Sequence, residues 1–466
     1  MRRVLAAVAL ICAVLLSSCG DGSKFVDLFR GDDLEGFKTL GGDAEFKIMN
    51  GALVGTLKSG TPNSYLATEA VYGDFILEFD VLSPVGLNAG VQLRSLSDPS
   101  YKKGRVHGYQ CKIDTSDRSW SGGIYDEGRD GWMVSLAGNE AAREAFKKDE
   151  WNHFRIEALG HSIRVWVNGV CTANLYDNTT AEGFIAFQLP TLSRNVKHLD
   201  GEKIQWSNVR IQTEGVKRSR LKGELATVVN RIPNILSPDE EELGWELLFD
   251  GASRESLEKS WRNDNKKSFP SKGWSVKDGV LVLSASTSKT KEPYGDIITK
   301  KQYSAFEFSV EFMLSPGANS GIKYFATESE KDGVTSCFGL EYQLLDDQKH
   351  ADAKLYTAVP DSRTLAGLYD MRAPDIKKKF MGVNTWNRAD IKVTSDGKVE
   401  HYLNGMKVLS YVRGSDEYNK MIANSKFKSE EYNQGKYPFG MAPKGHILLQ
   451  DHGNKVSFRS IKVREL

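Results

Sequence analysis

The chain has 466 residues, 26% charged and 40% hydrophobic, which suits soluble globular material in two or three domains. Its 62 Lys and Arg face 61 Asp and Glu for a formal net charge of +1, so no global field directs it to nucleic acid or to an anionic membrane. A charged partner would need a local patch.

Arg2-Arg3, an apolar run from Val4 to Leu16 and the small residues Ser17-Ser18 before Cys19 predict an export signal over 1–19. The run is too short for a membrane span of roughly 20 residues. Leu16-Ser17-Ser18-Cys19 resembles the lipobox of bacterial lipoproteins. That resemblance implies lipidation at Cys19 and a protein anchored to the membrane by lipid only, in the cell envelope of a Gram-negative-type bacterium. The remaining cysteines, Cys111, Cys171 and Cys337, are odd in number and widely spaced, and match neither a disulfide framework nor a zinc site.

From residue 25 the pattern is that of many short strands. Phe75–Phe79 and Phe306–Phe312 are rich in aromatic and β-branched residues, and Asn-Gly and Asp-Gly pairs recur between strands as hairpin signals. A helical interruption is expected over Glu140–Lys148. Residues 215–244 change character, basic at Lys217-Arg218-Ser219-Arg220 and acidic at Pro238–Glu242. They read as a linker with a short amphipathic helix around Leu221–Ile232.

The strands repeat in order. Leu28-Phe29-Arg30-Gly31 answers to Leu248-Phe249-Asp250-Gly251, and Asn88-Ala89-Gly90 to Asn319-Ser320-Gly321. Gly123-Ile124-Tyr125-Asp126 answers to Gly367-Leu368-Tyr369-Asp370, Trp151-Asn152 to Trp386-Asn387, and Asn168-Gly169 to Asn404-Gly405. The chain is a tandem duplication of two all-β sandwiches, 25–214 and 245–466.

The richest stretch is Gly339–His350. Side chains alternate along a strand, so Leu340, Tyr342 and Leu344 face a core while Glu341 and Gln343 share the other face, ahead of Asp346 and His350. Gly445–Gly453 likewise puts Gln450 and His452 on one face. Convergence of these strands would gather Glu341, Gln343, Asp346, His350, Asp370, Gln450 and His452. The mixed oxygen and nitrogen donors of Glu341, Asp346, His350 and His452 could also take a divalent metal ion, although no short ligand spacing supports it.

The segments Gly339–His350, Arg363–Asp370, His401–Gly405 and Gly445–Gly453 resemble the 3-keto-disaccharide hydrolase domain family. The first copy, through Gly108–Asp114 and Trp120–Glu127, is similar to another branch of it. The resemblance implies tandem concanavalin/laminarinase-like jelly rolls acting on an oligosaccharide or glycoside oxidised at C3. A ketone at C3 acidifies the hydrogen on C2, so a base, an acid and an electrophile suffice for elimination. Base and acid are expected among Glu341, Asp346, His350 and His452, with Lys323 or Gln343 at the enolate. Arg363, Tyr369, Asp370 and Gln450 are expected at the substrate. In the first copy Gln110 replaces Glu341, Lys112 replaces Gln343 and Pro190 stands opposite His452. That leaves Gln110, Asp114, Arg118, Tyr125, Asp126 and Glu127 to bind sugar, while Trp120, Trp132 and Tyr109 would be the stacking platforms of a rival carbohydrate-binding reading. Two rival readings are a non-catalytic carbohydrate-binding lipoprotein and a conventional glycosidase. Against the glycosidase, Glu341-Tyr342-Gln343 carries an amide where a laminarinase strand carries Asp.

Overall fold

The computed structural model describes residues 24–286, 293–331, 334–433 and 435–466. The signal and Cys19 lie outside them. The described residues form two compact units that divide between Val229 and Asn230. The lipidation site aside, the all-β jelly-roll expectation holds: each unit packs two antiparallel sheets face to face over one apolar core.

In the second unit the larger sheet contains Phe306–Leu314, whose Phe306, Phe308, Val310 and Phe312 point inward. They meet Leu340, Tyr342 and Leu344 of the smaller sheet, all fully buried. Burying each such side chain stabilises the fold by about 1.5–3 kcal/mol. The expected alternation along 340–344 is therefore real, and it turns Glu341 and Gln343 to the outer face. The smaller sheet runs Trp261–Asn263, Ile297–Thr299, His446–Leu449, Asn319–Lys331, Val334–Leu345. Its first-unit counterpart places Phe184–Leu189, Asn88–Leu96 and His107–Asp114 side by side in the same order.

The matched motifs have matched structural roles. Asn168-Gly169 and Asn404-Gly405 take both residues to positive φ, as a tight hairpin between right-twisted strands requires. Their amides then reach the other repeated asparagine: Asn168 Nδ2 donates to Asn152 Oδ1 (2.8 Å), and Asn404 Nδ2 to Asn387 Oδ1 (2.9 Å). These repeats are corners of the fold and not chemistry.

Two expectations need correction. The helix near residue 140 covers only Glu140–Glu144, capped by Asn139, because Asn152 Oδ1 takes the Lys147 N–H (2.6 Å) and ends the run. No helix forms over 221–232. Gly223 sits at φ +133, Val228 and Val229 are β-branched, and Glu157 accepts the Leu221 N–H (2.8 Å), so the chain stays extended on the first unit. The helix is instead Pro238–Glu242, closed by a capping box between Ser237 and Glu240. Glu240 is buried there and bonded to Lys462, so the acidic run is anchored in the second unit.

Candidate active site

Three neighbouring strands build the site. Along Asn319–Lys331 the residues Asn319, Gly321 and Lys323 share the outer face. Lys323 stands directly across from Glu341 on one side and Leu448 on the other. Gly321 stands across from Gln343, and its carbonyl accepts the Gln450 N–H (2.9 Å). Gly321 is thus a floor without a side chain, ringed by Lys323, Glu341, Gln343, Gln450 and Asn319. A Cβ at Gly321 would lie 2.3 Å from Glu341 Oε1, so only glycine leaves the carboxylate where it is.

Glu341 is nearly enclosed at 8% exposure. Burial pushes its carboxyl up to about 7, against the pull of the Lys323 and Lys426 ammonium groups. Gln343, in the amide orientation that satisfies both its atoms, donates to Glu341 Oε1 (3.1 Å) and to the Ser320 carbonyl (2.9 Å). Burial works against the Lys323 ammonium, but Asp296 and Glu341 together hold it above its usual value. Asp296 is fixed in turn: its Oδ1 accepts the Asp451 N–H (2.8 Å), and its Oδ2 lies 3.6 Å from Lys323 Nζ.

A strap between the strands Met406–Val412 and His446–Leu449 supplies the wall. Its helix Asp416–Ala423 is capped by Ser415, and the turn Lys426–Lys428 follows. Phe427 and Phe439 stack at 4.0 Å, with Tyr432 edge-on to Phe427 at 5.0 Å and to Phe338 at 4.8 Å. Lys426 Nζ sits 4.6 Å from the centre of the Tyr369 ring, and burial lowers the lysine despite Glu341 and Asp370 nearby. Floor and wall enclose a hollow of about 140 Å³. Polar floor and aromatic wall together match the hydroxyl edges and C–H faces of a sugar ring.

Of the residues singled out in the sequence, Lys323, Glu341, Gln343, Tyr369, Gln450 and His452 line this hollow. Asp346, His350, Arg363 and Asp370 do not. Asp346 caps a turn, its Oδ2 accepting the Gly317 N–H (2.7 Å) and its Oδ1 that of Gln348 (3.1 Å). His350 stands behind His452, ring centres 6.4 Å apart, and its Nδ1 accepts the Asp352 N–H (3.1 Å). Arg363 bridges Asp370 (2.8 Å) and Asp352 (3.0 Å). Asp370 also takes the Lys426 N–H (2.8 Å), so this pair braces Tyr369 and the strap.

The sequence reading missed Asn319, Asp296, Lys426 and the aromatic wall. One signal was available: 413–445 separates strands that only 177–183 separates in the first copy. Among the described residues no group of three or more His, Cys, Asp or Glu side chains could hold a metal ion. The charge of Glu341 faces two ammonium groups, a donor set that does not suit a cation.

In the first unit the same register brings Gln92 across from Gln110 and Ala186, and Gly90 across from Lys112 and Gln188. Gln110 donates to Gln188 Oε1 (2.8 Å) and accepts from Lys112 Nζ (2.6 Å). Burial lowers Lys112 to about 8. Asp114 pairs with Arg118 (2.7 Å), whose guanidinium lies 5.0 and 4.8 Å from the Trp120 and Trp132 ring centres. Tyr125 packs edge-on to Trp132 at 5.3 Å. Tyr109 cannot be a stacking platform: it is wholly buried in the core and its hydroxyl is bonded to Asp177.

Comparison with known proteins agrees with the duplication. The family model described as 3-keto-alpha-glucoside-1,2-lyase-like domain matches residues 24–212 and again 244–464. A curated 3-keto-disaccharide hydrolase of Bacteroides thetaiotaomicron is 33% identical over 242 residues, spanning 48% of this chain and 79% of that protein. A solved structure of a proposed glycosyl hydrolase from Parabacteroides distasonis is 29% identical over 50% of this chain and all of its own, with a TM-score of 0.42. A carbohydrate-binding module from Bacillus subtilis is 14% identical over 38% of this chain and 95% of its own, with a TM-score of 0.28. The chain belongs to the 3-keto-alpha-glucoside-1,2-lyase-like domain family and carries its domain twice.

Proposed function

We propose that the protein is a glycoside-acting enzyme that cleaves the glycosidic bond of 3-keto-glycosides, with its catalytic site in the hollow of the second unit. The observation that carries this reading is a buried carboxylate titrating near neutrality, set across from a buried ammonium over a glycine floor. A near-neutral value is the one that suits a general base at physiological pH. The family match and the activity in the name of the Bacteroides relative support the same substrate class.

Glu341 takes the proton from C2. The C–H electron pair becomes a C2–C3 double bond, and the carbonyl pair moves onto O3, where the Lys323 ammonium meets the enolate charge. The carbonyl then re-forms, the pair moves to C1–C2, and the C1–O bond breaks. The leaving oxygen takes a proton from an acid at the rim, the role we give to His452. Water adds its hydroxyl to C1 and a proton to C2 of the resulting enone, and the sum is hydrolysis. The test is to offer the purified protein a glucoside and its 3-keto form. Free aglycone from the keto sugar alone is expected; release from the unmodified glucoside would point to a conventional glycosidase, and saturable binding without product to a lectin.

In the first unit Gln92, Gln110 and Pro190 occupy the places of Lys323, Glu341 and His452, so we assign it sugar binding without catalysis. Attachment to the cell envelope through Cys19 belongs to the same proposal and rests on residues 1–19 alone. Wild type would partition into the detergent phase and Cys19→Ala into the aqueous one; equal partition would remove the anchor.

A further inference from the structure

Most buried polar side chains are hydrogen-bonded, because an orphaned acceptor forfeits its hydration for nothing in return. Among the described residues of the second unit, two buried side-chain atoms lack a partner: Asn319 Oδ1 and Gln450 Oε1. Both residues line the same hollow. Asn319 is only 3% exposed, and its own backbone N–H is already committed to Asn454 Oδ1 (3.0 Å). The Gln450 backbone is likewise fixed, its N–H to the Gly321 carbonyl (2.9 Å) and its carbonyl to Ser320 Oγ (2.8 Å). Two amide side chains on fixed backbone therefore line one small cavity, each with a buried oxygen that has nothing to accept from.

Their place relative to Glu341 limits what they would meet. Lys323 and Glu341 form one row of the sheet face, Gly321 and Gln450 the next and Asn319 the one after. Alternate residues on one face lie roughly 6.6 Å apart along a strand. A ring presenting C2 to Glu341 and C3 to Lys323 turns its C4 flank toward Gln450, on the strand beyond Lys323, and its far C5 end toward Asn319. A 3-keto-hexopyranoside retains three hydroxyls. The 2-OH sits on the carbon that faces Glu341, which leaves the 4-OH and the 6-OH for two orphaned acceptors.

We propose that Asn319 and Gln450 are specificity-determining residues that accept hydrogen bonds from the 4-OH and 6-OH of the sugar, selecting 3-keto-hexopyranosides over pentosides and deoxy sugars. This deepens the reading above and rests on it for the orientation of the ring. A site built to bond a hydroxyl rejects the analogue lacking it far more strongly than an apolar pocket rejects a missing methylene.

The test compares kcat/KM of the full chain on 3-keto-glucoside, its 4-deoxy and 6-deoxy forms and 3-keto-xyloside, for wild type, Asn319→Leu and Gln450→Met. Wild type should lose about ten-fold or more for each missing hydroxyl. Each variant should lose activity on the parent sugar and become indifferent to one of the two hydroxyls. Asn319→Asp and Gln450→Glu, which keep an acceptor, should retain the discrimination even if the apolar variants are poorly folded. Discrimination of wild-type size in both apolar variants, or equal rates for all four sugars in wild type, would overturn the assignment while leaving the proposed reaction standing. Calorimetric binding of the same sugars separates the two ideas in the other direction. Preference for the fully hydroxylated sugar without turnover of any would support the amide pair and remove the reaction.

Discussion

Glu341→Gln is expected to lower turnover of a 3-keto-glucoside by about 10³-fold while the sandwich stays folded. The substitution keeps the shape and the partner at Gln343 but removes the only carboxylate among the described residues that line the hollow. Because the base must be ionised, kcat/KM of the wild type should rise tenfold per pH unit below about 7 and level off above it. Stability should run the opposite way. The folded carboxyl holds its proton up to about 7, whereas a solvated glutamate loses it near 4.3, so the folded state binds more protons between these values. This group's contribution is fully favourable at low pH and is lost as pH rises from about 4.3 through 7. At pH 8 Glu341→Gln should therefore be more stable than wild type, by up to about 4 kcal/mol in denaturant titrations, with the gap closing toward pH 4. A variant that is destabilised at pH 8 would mean that the carboxylate is structural. Gain of stability with loss of turnover is the signature of a strained catalytic group.

A second large effect is expected from one methyl group. In Gly321→Ala the new Cβ meets Glu341 Oε1 at 2.3 Å and Cδ at 2.8 Å, with Gln343 holding the carboxylate from the other side. The carboxylate must move, and displacement of a reacting group by about 1 Å costs roughly 10²-fold in rate. Overpacking adds about 1–3 kcal/mol of destabilisation. The first unit supplies the control. Gly90→Ala meets Gln110 Cδ at 2.7 Å, a comparable clash at the corresponding floor position. It should weaken that unit to a similar degree and leave turnover per folded molecule unchanged. Equal loss of activity in both variants would overturn the assignment of catalysis to the second unit.

The sequence carried the scaffold well because strand alternation is a local rule: Leu340, Tyr342 and Leu344 are buried and Glu341 is turned to the opposite face, as the period of two requires. The duplication was legible for the same reason, since its turns and corner asparagines recur in order. Asp346 and Arg363 show the limit. Both carry the residue types that chemistry uses, yet one caps a turn and the other braces a loop, roles fixed by partners at Gly317, Asp352 and Asp370. Lys426 and Phe427 were invisible because the strap reaches the hollow only through tertiary packing, held by Asp370 and by the stacking of Phe427 on Phe439. Asn319 was in plain view within Asn319-Ser320-Gly321. Its match to Asn88 marked it only as part of the repeat, and its orphaned amide oxygen is what sets it apart.

Removal of the C2 proton can be measured by following a 3-keto-glucoside labelled with deuterium at C2. Abstraction by Glu341 predicts slower turnover than with the unlabelled sugar and transfer of the label to water during the reaction. Release of aglycone at full speed with the deuterium still on C2 would contradict it.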